Sequence, residues 1–194
     1  MDSLCMLQKS IKSFDPNIPD SLIKQLFYIC VEKAICKGDR FINAGEVSKH
    51  MAFNVDGLFR YFYVDERGND FTKGFGVKNK FLISYSALAQ NRPSYFSIEA
   101  LQDSRILMFD FKAFSTMMEK DIRWYPFAFK LLESVYIMKE LREKSFLLDD
   151  AATRYKEFKA YYADVEDQIK LYYVASFLGI TPETLSRLRK NLRN

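Results

Sequence analysis

The chain has 194 residues, 48% of them apolar, which is enough for one core or two small ones and too apolar for a disordered polymer. Its formal charge of +4 is mildly basic, compatible with a nucleic acid partner but not sufficient to require one. With one histidine, three cysteines and no nucleophile elbow, phosphate-binding glycine loop or clustered metal ligands, the chain is expected to hold no metal or cofactor and to catalyse nothing.

Met1 to Ser10 lacks a basic stretch followed by a sustained apolar run, and no segment approaches the length of a membrane span; a cytoplasmic protein without membrane contact is expected. Asp20 to Lys33 carries Leu22, Ile23, Leu26, Phe27 and Ile29 to Val31, the spacing of a helix entered through Pro19. From Ala34 to Asp110 the texture changes to aromatic and β-branched runs. Turns are expected at Lys37 to Asp39, Asn43 to Glu46, Val55 to Gly57 and Glu66 to Asn69, which makes the region all-β. Gly57 to Asp65 and Asp70 to Val77 give its clearest hairpin. Cys5, Cys30 and Cys36 show no pairing pattern, and His50 is expected to be structural.

A strand from Ser104 to Asp110 leads into a helix, Phe111 to Lys120, and then a longer one from Arg123 to Phe146 that tolerates Pro126 in its first turn. Ala128, Leu131, Val135 and Met138 recur at three- and four-residue steps, while Lys139, Glu140, Arg142, Glu143 and Lys144 are expected to keep the far end solvated. Such a stripe pairs with a second copy or packs on the β region, and the residues leave both open. Leu147 to Ala152 reads as a hinge and Thr153 to Tyr162 as another helix.

The last two dozen residues read as a helix-turn-helix. Val174, Ala175 and Leu178 repeat at helical spacing, Gly179 stops that helix, and Thr181-Pro182 starts the next as N-cap and first helical position. Leu185, Leu188 and Leu192 form the inward stripe of the second helix. Glu183, Arg187 and Lys190, with Ser186 beside them, then share the outward face, which offers an acceptor, a hydroxyl and two cations to base edges. Lys170, Thr181 and Thr184 complete the candidate DNA contacts, with Arg189 and Arg193 suited to the phosphate backbone. An alternative stays open: a ligand-sensing or interaction module whose terminal helices bind a protein partner.

The run from Val174 to Lys190 resembles the DNA-binding end of the Crp/Fnr family, especially members whose recognition helix begins Thr-Pro-Glu-Thr-Leu-Ser-Arg. The resemblance implies an α+β chain: an N-terminal antiparallel β-roll of the jelly-roll, cyclic-nucleotide-binding-like type over 1–120, a long dimerisation helix and hinge over 121–148, and a helix-turn-helix domain over 149–194. It implies a homodimeric transcription regulator with double-stranded DNA, RNA polymerase and a small-molecule effector as partners, and it favours Ala128, Leu131, Val135 and Met138 as the dimer seam.

Two departures limit the carry-over. Where the family's cyclic nucleotide cassette has Gly-Glu and Arg-Ser pairs, this chain has Leu82-Ile83 and Ser94-Tyr95, with Arg92 out of place, so cyclic AMP is not expected as the effector. Ser84, Tyr85, Ser94 and Tyr95 are left either to line a pocket for some other effector or to close the roll. Pro182 also stands where family members place a base-reading arginine, so their base preference does not transfer.

Overall fold

The computed structural model describes residues 2–191. Two helices, α1 (Ser3–Phe14) and α2 (Asp20–Ile29), precede eight short strands: β1 (Val31–Ile35), β2 (Arg40–Ile42), β3 (His50–Asp56), β4 (Phe59–Val64), β5 (Asp70–Gly76), β6 (Phe81–Leu82), β7 (Ser97–Ala100) and β8 (Ser104–Asp110). One helical turn and a half, α3 (Tyr85–Gln90), interrupts the strands. Then come α4 (Phe111–Lys120), α5 (Tyr125–Leu148), α6 (Ala151–Tyr161), α7 (Leu171–Leu178) and α8 (Pro182–Asn191). The strands form two antiparallel sheets, ordered β1-β8-β3-β6 and β2-β7-β4-β5, which face each other as a β-roll.

Alternation along the strands puts Ile35, Ile42, Ala52, Phe59, Leu82, Ile98 and Ile106 between the sheets. A second core lies on the outer side of the first sheet. There Phe53 and Phe109 meet Leu7 and Ile11 of α1, Ile23 and Leu26 of α2, and Trp124 and Phe127 at the start of α5. The expected hairpin is present as β4 and β5, joined by a turn in which Asp65 accepts from the backbone N–H groups of Arg67 and Asn69.

Two elements depart from expectation. The helix expected to reach Lys33 ends at Ile29; Cys30 is extended, and Val31 to Ile35 pairs with Ser104 to Met108 instead. The helical spacing does run on through Val31, but a full ladder of backbone hydrogen bonds to β8 outweighs it. Helix α1 lies in a segment whose apolar pattern is faint because serines occupy two positions of its buried stripe, Ser3, Met6, Leu7, Ser10 and Ile11. The Ser10 hydroxyl stays satisfied by donating to the Asn79 carbonyl at 3.0 Å.

Gly57, at the bend between β3 and β4, has φ +142°, and a Cβ built there would lie 2.1 Å from Ser104 Oγ. Gly57→Ala is therefore expected to cost about 1–3 kcal/mol through overpacking and backbone strain. In urea this should appear as a lower midpoint at unchanged slope, and an unaltered midpoint would contradict the close approach.

On α5 the expected stripe divides. Leu131 packs against the outer core, Ala128 and Val135 are half-buried, and Met138 is 42% exposed. The apolar row fully at the surface lies part of a turn further round: Tyr125, Phe129, Leu132 and Tyr136, 52%, 63%, 38% and 67% exposed. Arg142, expected to be solvated, turns inward instead, for the reason given below. No helix of the described residues is long and apolar enough to cross a membrane.

Candidate nucleic-acid interface

The turn between α7 and α8 is closed by local chemistry. Gly179 takes the left-handed conformation at φ +67°, and Ile180 N–H reaches back to the Ala175 carbonyl at 3.1 Å, so the last carbonyls of α7 are not left bare. Thr184 N–H donates to Thr181 Oγ1 at 3.3 Å, and Pro182 occupies the first position of α8, where a missing N–H costs nothing. Leu185 is wholly buried against Val174, Ala175 and Leu178, and the absence of side-chain bulk at Ala175 permits the close crossing. Leu188 is half-buried on the same side. Leu192 and Arg193, assigned to the inner stripe and to backbone contact, lie outside the described residues.

With the inner stripe anchored, the opposite face of α8 is free for a partner. Thr181, Glu183, Ser186, Arg187 and Lys190 are exposed, Thr184 and Arg189 are half-exposed, and Lys170 is exposed at the start of α7. Among the described residues no ion pair engages Arg187, Arg189 or Lys190. Hydrogen bonding from its own backbone N–H, then from Thr181, with Arg187 nearby, holds the Glu183 carboxyl below its ordinary range; it is an anion and an acceptor at neutral pH.

The other side of α7 is fastened to the roll by groups that the sequence reading passed over. Arg60 in β4 has a side chain 1% exposed and is ion-paired with Asp70. Its Nε donates to Thr72 Oγ1 at 2.8 Å, and its guanidinium lies 4.0 Å from the centre of the Tyr173 ring. Asp70 also accepts from the Tyr172 hydroxyl at 2.9 Å, while Thr72 N–H donates to Ser176 Oγ at 2.8 Å. At the far end of α7 its terminal carbonyls receive two cations: Arg142 donates to Phe177 O at 3.0 Å and Arg154 to Leu178 O at 3.1 Å. A helix C-terminus carries partial negative charge and unpaired carbonyls, which is why these arginines fold inward. Leu58 and Phe75 of the roll join the core of α6, α7 and α8, so the helix-turn-helix and the β-roll share one apolar cluster. The one signal in sequence was Arg60 itself, a charge within an aromatic strand.

The candidate effector residues are divided between interior and surface. Ser84 and Ser94 are buried with their hydroxyls 2.9 Å apart, and Ser94 also donates to Phe96 O at 2.7 Å; Tyr85 and Tyr95 are 44% and 65% exposed. Leu82, where the family's cassette glycine would stand, is wholly buried, Ile83 packs on the outer core, and Arg92 is exposed. The three cysteines are free, and among the described residues no group of histidine, cysteine or acidic side chains could hold a metal ion.

Comparison with known proteins agrees with this architecture. Residues 32–121 match the family profile of the cyclic nucleotide-binding domain. Among solved structures, a CooA mutant from Carboxydothermus hydrogenoformans superposes with a TM-score of 0.72 at 16% identity, covering 92% of this chain and 85% of that one. FixK2 from Bradyrhizobium japonicum gives 0.68 at 16% identity over 85% of each chain. The Thermus thermophilus catabolite activator protein gives 0.56 at 16% identity, over 95% of this chain and 86% of that one. No curated protein matches the sequence. Residues 32–121 thus resemble the cyclic nucleotide-binding domain in sequence, and the chain shares the overall fold of these three solved structures.

Proposed function

We propose that the protein is a dimeric, DNA-binding transcription regulator that reads a partly palindromic site with α8 and is gated by an effector other than cyclic AMP. The observation that carries the reading is the division of α8: Leu185 is locked into the core while Glu183, Ser186, Arg187 and Lys190 stay exposed on the other side. Arginine can donate a fork to guanine O6 and N7, glutamate can accept from cytosine N4, and the remaining cations suit phosphates. In this reading residues 1–120 sense, 121–148 pair and relay, and 149–194 bind DNA, with RNA polymerase as a downstream partner in the cytoplasm.

Pairing is assigned to the exposed row Tyr125, Phe129, Leu132 and Tyr136, with half-buried Ala128 and Val135 beside it. Two-fold symmetry would offer two copies of α8 to successive major grooves, and linking two weak half-sites raises affinity without a new contact.

The test is a gel-shift assay on random duplexes, followed by selection of a preferred site and a salt titration. Retarded complexes should weaken steeply as salt rises, because displaced counterions drive binding. Arg187→Ala should cost about 1–3 kcal/mol at the selected site and relax base choice at one position. No retardation at any salt would favour a protein partner for the same helices, and full-strength binding by a folded Arg187→Ala protein would remove that residue from base reading.

A further inference from the structure

The turn joining β5 to β6 is held from two sides. Asn79 takes the left-handed conformation at φ +64°, its N–H donates to the Asn54 carbonyl at 2.8 Å, and Asn54 N–H donates back to the Lys80 carbonyl at 2.9 Å. Asparagine tolerates that conformation better than most residues, so Lys78 and Lys80 stand on either side of a fixed bend. From the other direction Ser10 of α1 donates to the Asn79 carbonyl at 3.0 Å, which fastens the turn to the helix.

Between helix and turn lies a cleft of about 450 Å³, within the ~300–1,000 Å³ usual for small-molecule sites. Lys9 of α1, Lys78 and Lys80 of the turn and Arg105 of β8 line it, with Met6 and Phe14 as its apolar side. No aspartate or glutamate is among the lining residues. None of them comes from α5, from residues 81–95 or from the core between the sheets, so the cleft is separate from Ser84, Tyr85, Ser94 and Tyr95.

Four cations around one concavity repel one another, and their compensation is slight. Lys78 pairs with Asp56 at 3.0 Å and Arg105 with Glu32 at 3.1 Å, but all four of these side chains lie at the surface. Such pairs contribute little, so both cations can turn to a ligand at small cost. Lys80 has no ion pair among the described residues.

We propose that this cleft is an anion site for a small molecule carrying two or more linked phosphates. Lysine ammoniums bind phosphate as point charges, Arg105 can donate a fork, and two linked phosphates supply enough oxygens for four cations at once. In an extended acidic peptide the carboxylates on one side repeat about every 7 Å, too far apart for a cleft of this size to hold several. The site does not depend on the nucleic-acid reading.

The experiment is isothermal titration calorimetry of the full chain at neutral pH, without divalent cations and at matched ionic strength. The ligands are pyrophosphate, ADP, orthophosphate, citrate and hexaglutamate. Pyrophosphate should bind saturably and at least about tenfold tighter than orthophosphate, since a single phosphate cannot engage all four cations. Tighter binding of ADP than of pyrophosphate would identify a nucleotide whose base lies on Phe14, and equal affinity would identify the diphosphate group alone. Lys80→Met should weaken pyrophosphate binding about tenfold, and Lys80→Arg should keep it. Lys78→Met with Arg105→Met should abolish it; if that double variant does not fold by circular dichroism, Lys80→Met decides. The proposal is overturned if pyrophosphate gives no heat beyond dilution, if citrate or hexaglutamate binds as tightly, or if a folded Lys80→Met protein binds like the wild type. Binding lost in Arg187→Ala with Lys190→Ala, yet kept in Lys80→Met, would overturn it too, by placing the anion on α8. Gel shifts on the same preparations keep the two readings apart: DNA binding without a pyrophosphate response sinks only this site, and a pyrophosphate response without DNA binding sinks only the nucleic-acid reading.

Discussion

Asp70→Ala should destabilise the protein by about 3–5 kcal/mol, far beyond what loss of a surface ion pair would cost. The reason lies with its partner. The Arg60 side chain is 1% exposed, and Asp70 is the carboxylate that compensates it. Removing the acid leaves a guanidinium among Thr72, Phe62 and Tyr173 with no counter-ion, and an uncompensated buried charge is the costly half of such a pair. Arg60→Leu with Asp70→Ala should recover much of the loss, since the charge is then gone and the leucine partly fills the space. Urea unfolding of the single and double variants checks the cycle. Equal losses in both would mean that packing, not charge, holds the joint. Because Asp70 and Thr72 also engage Tyr172 and Ser176, amide exchange in α7 should accelerate more than in the outer core.

The same pair has a defined pH dependence. Burial acts to raise the Asp70 pKa, but hydrogen bonds from Arg60 and Tyr172 and the Arg60 charge outweigh it, and the net shift is downward. A group with a depressed folded-state pKa contributes stability above its unfolded pKa and loses it as pH falls through the folded value. The contribution of this pair should therefore be constant around neutrality and fade only in acid.

On the proposed reading, Phe129→Asp with Leu132→Asp should convert the proposed dimer to a folded monomer and abolish the proposed site-specific DNA binding. Both side chains are exposed in the single chain, so the carboxylates cost the fold little. At a two-fold seam they would face their symmetry mates, and burying unpaired charge costs several kcal/mol, comparable with the whole stability of a small interface. Sedimentation reads the assembly, circular dichroism the fold, and gel shift the loss of half-site coupling. Leu131→Asp is expected to behave differently, unfolding the chain because Leu131 packs on its own outer core. A folded double variant that remains dimeric would place the interface elsewhere.

The features legible before any coordinates are those whose hydrogen bonds close within a few residues. Gly179, Thr181 and Pro182 specify the turn of the helix-turn-helix by local backbone preference, and Glu66 to Asn69 does the same for the hairpin. Pattern also identified the all-β region, and the resemblance placed the β-roll ahead of the helix-turn-helix; the profile match over 32–121 and the shared fold agree with that order of elements. Long-range pairing lay beyond such reading. Val31 belongs to a strand because Met108 lies opposite, α1 buries serines because a distant carbonyl satisfies one of them, and Leu131 and Leu132 go to different surfaces although one residue apart. Above all, a charged residue in a sequence reads as solvated until its partners are known. Arg60, Arg142 and Lys73 turn inward because the rings, carbonyls and carboxylate that receive them come from elements up to about a hundred residues away, a separation across which no local propensity carries information.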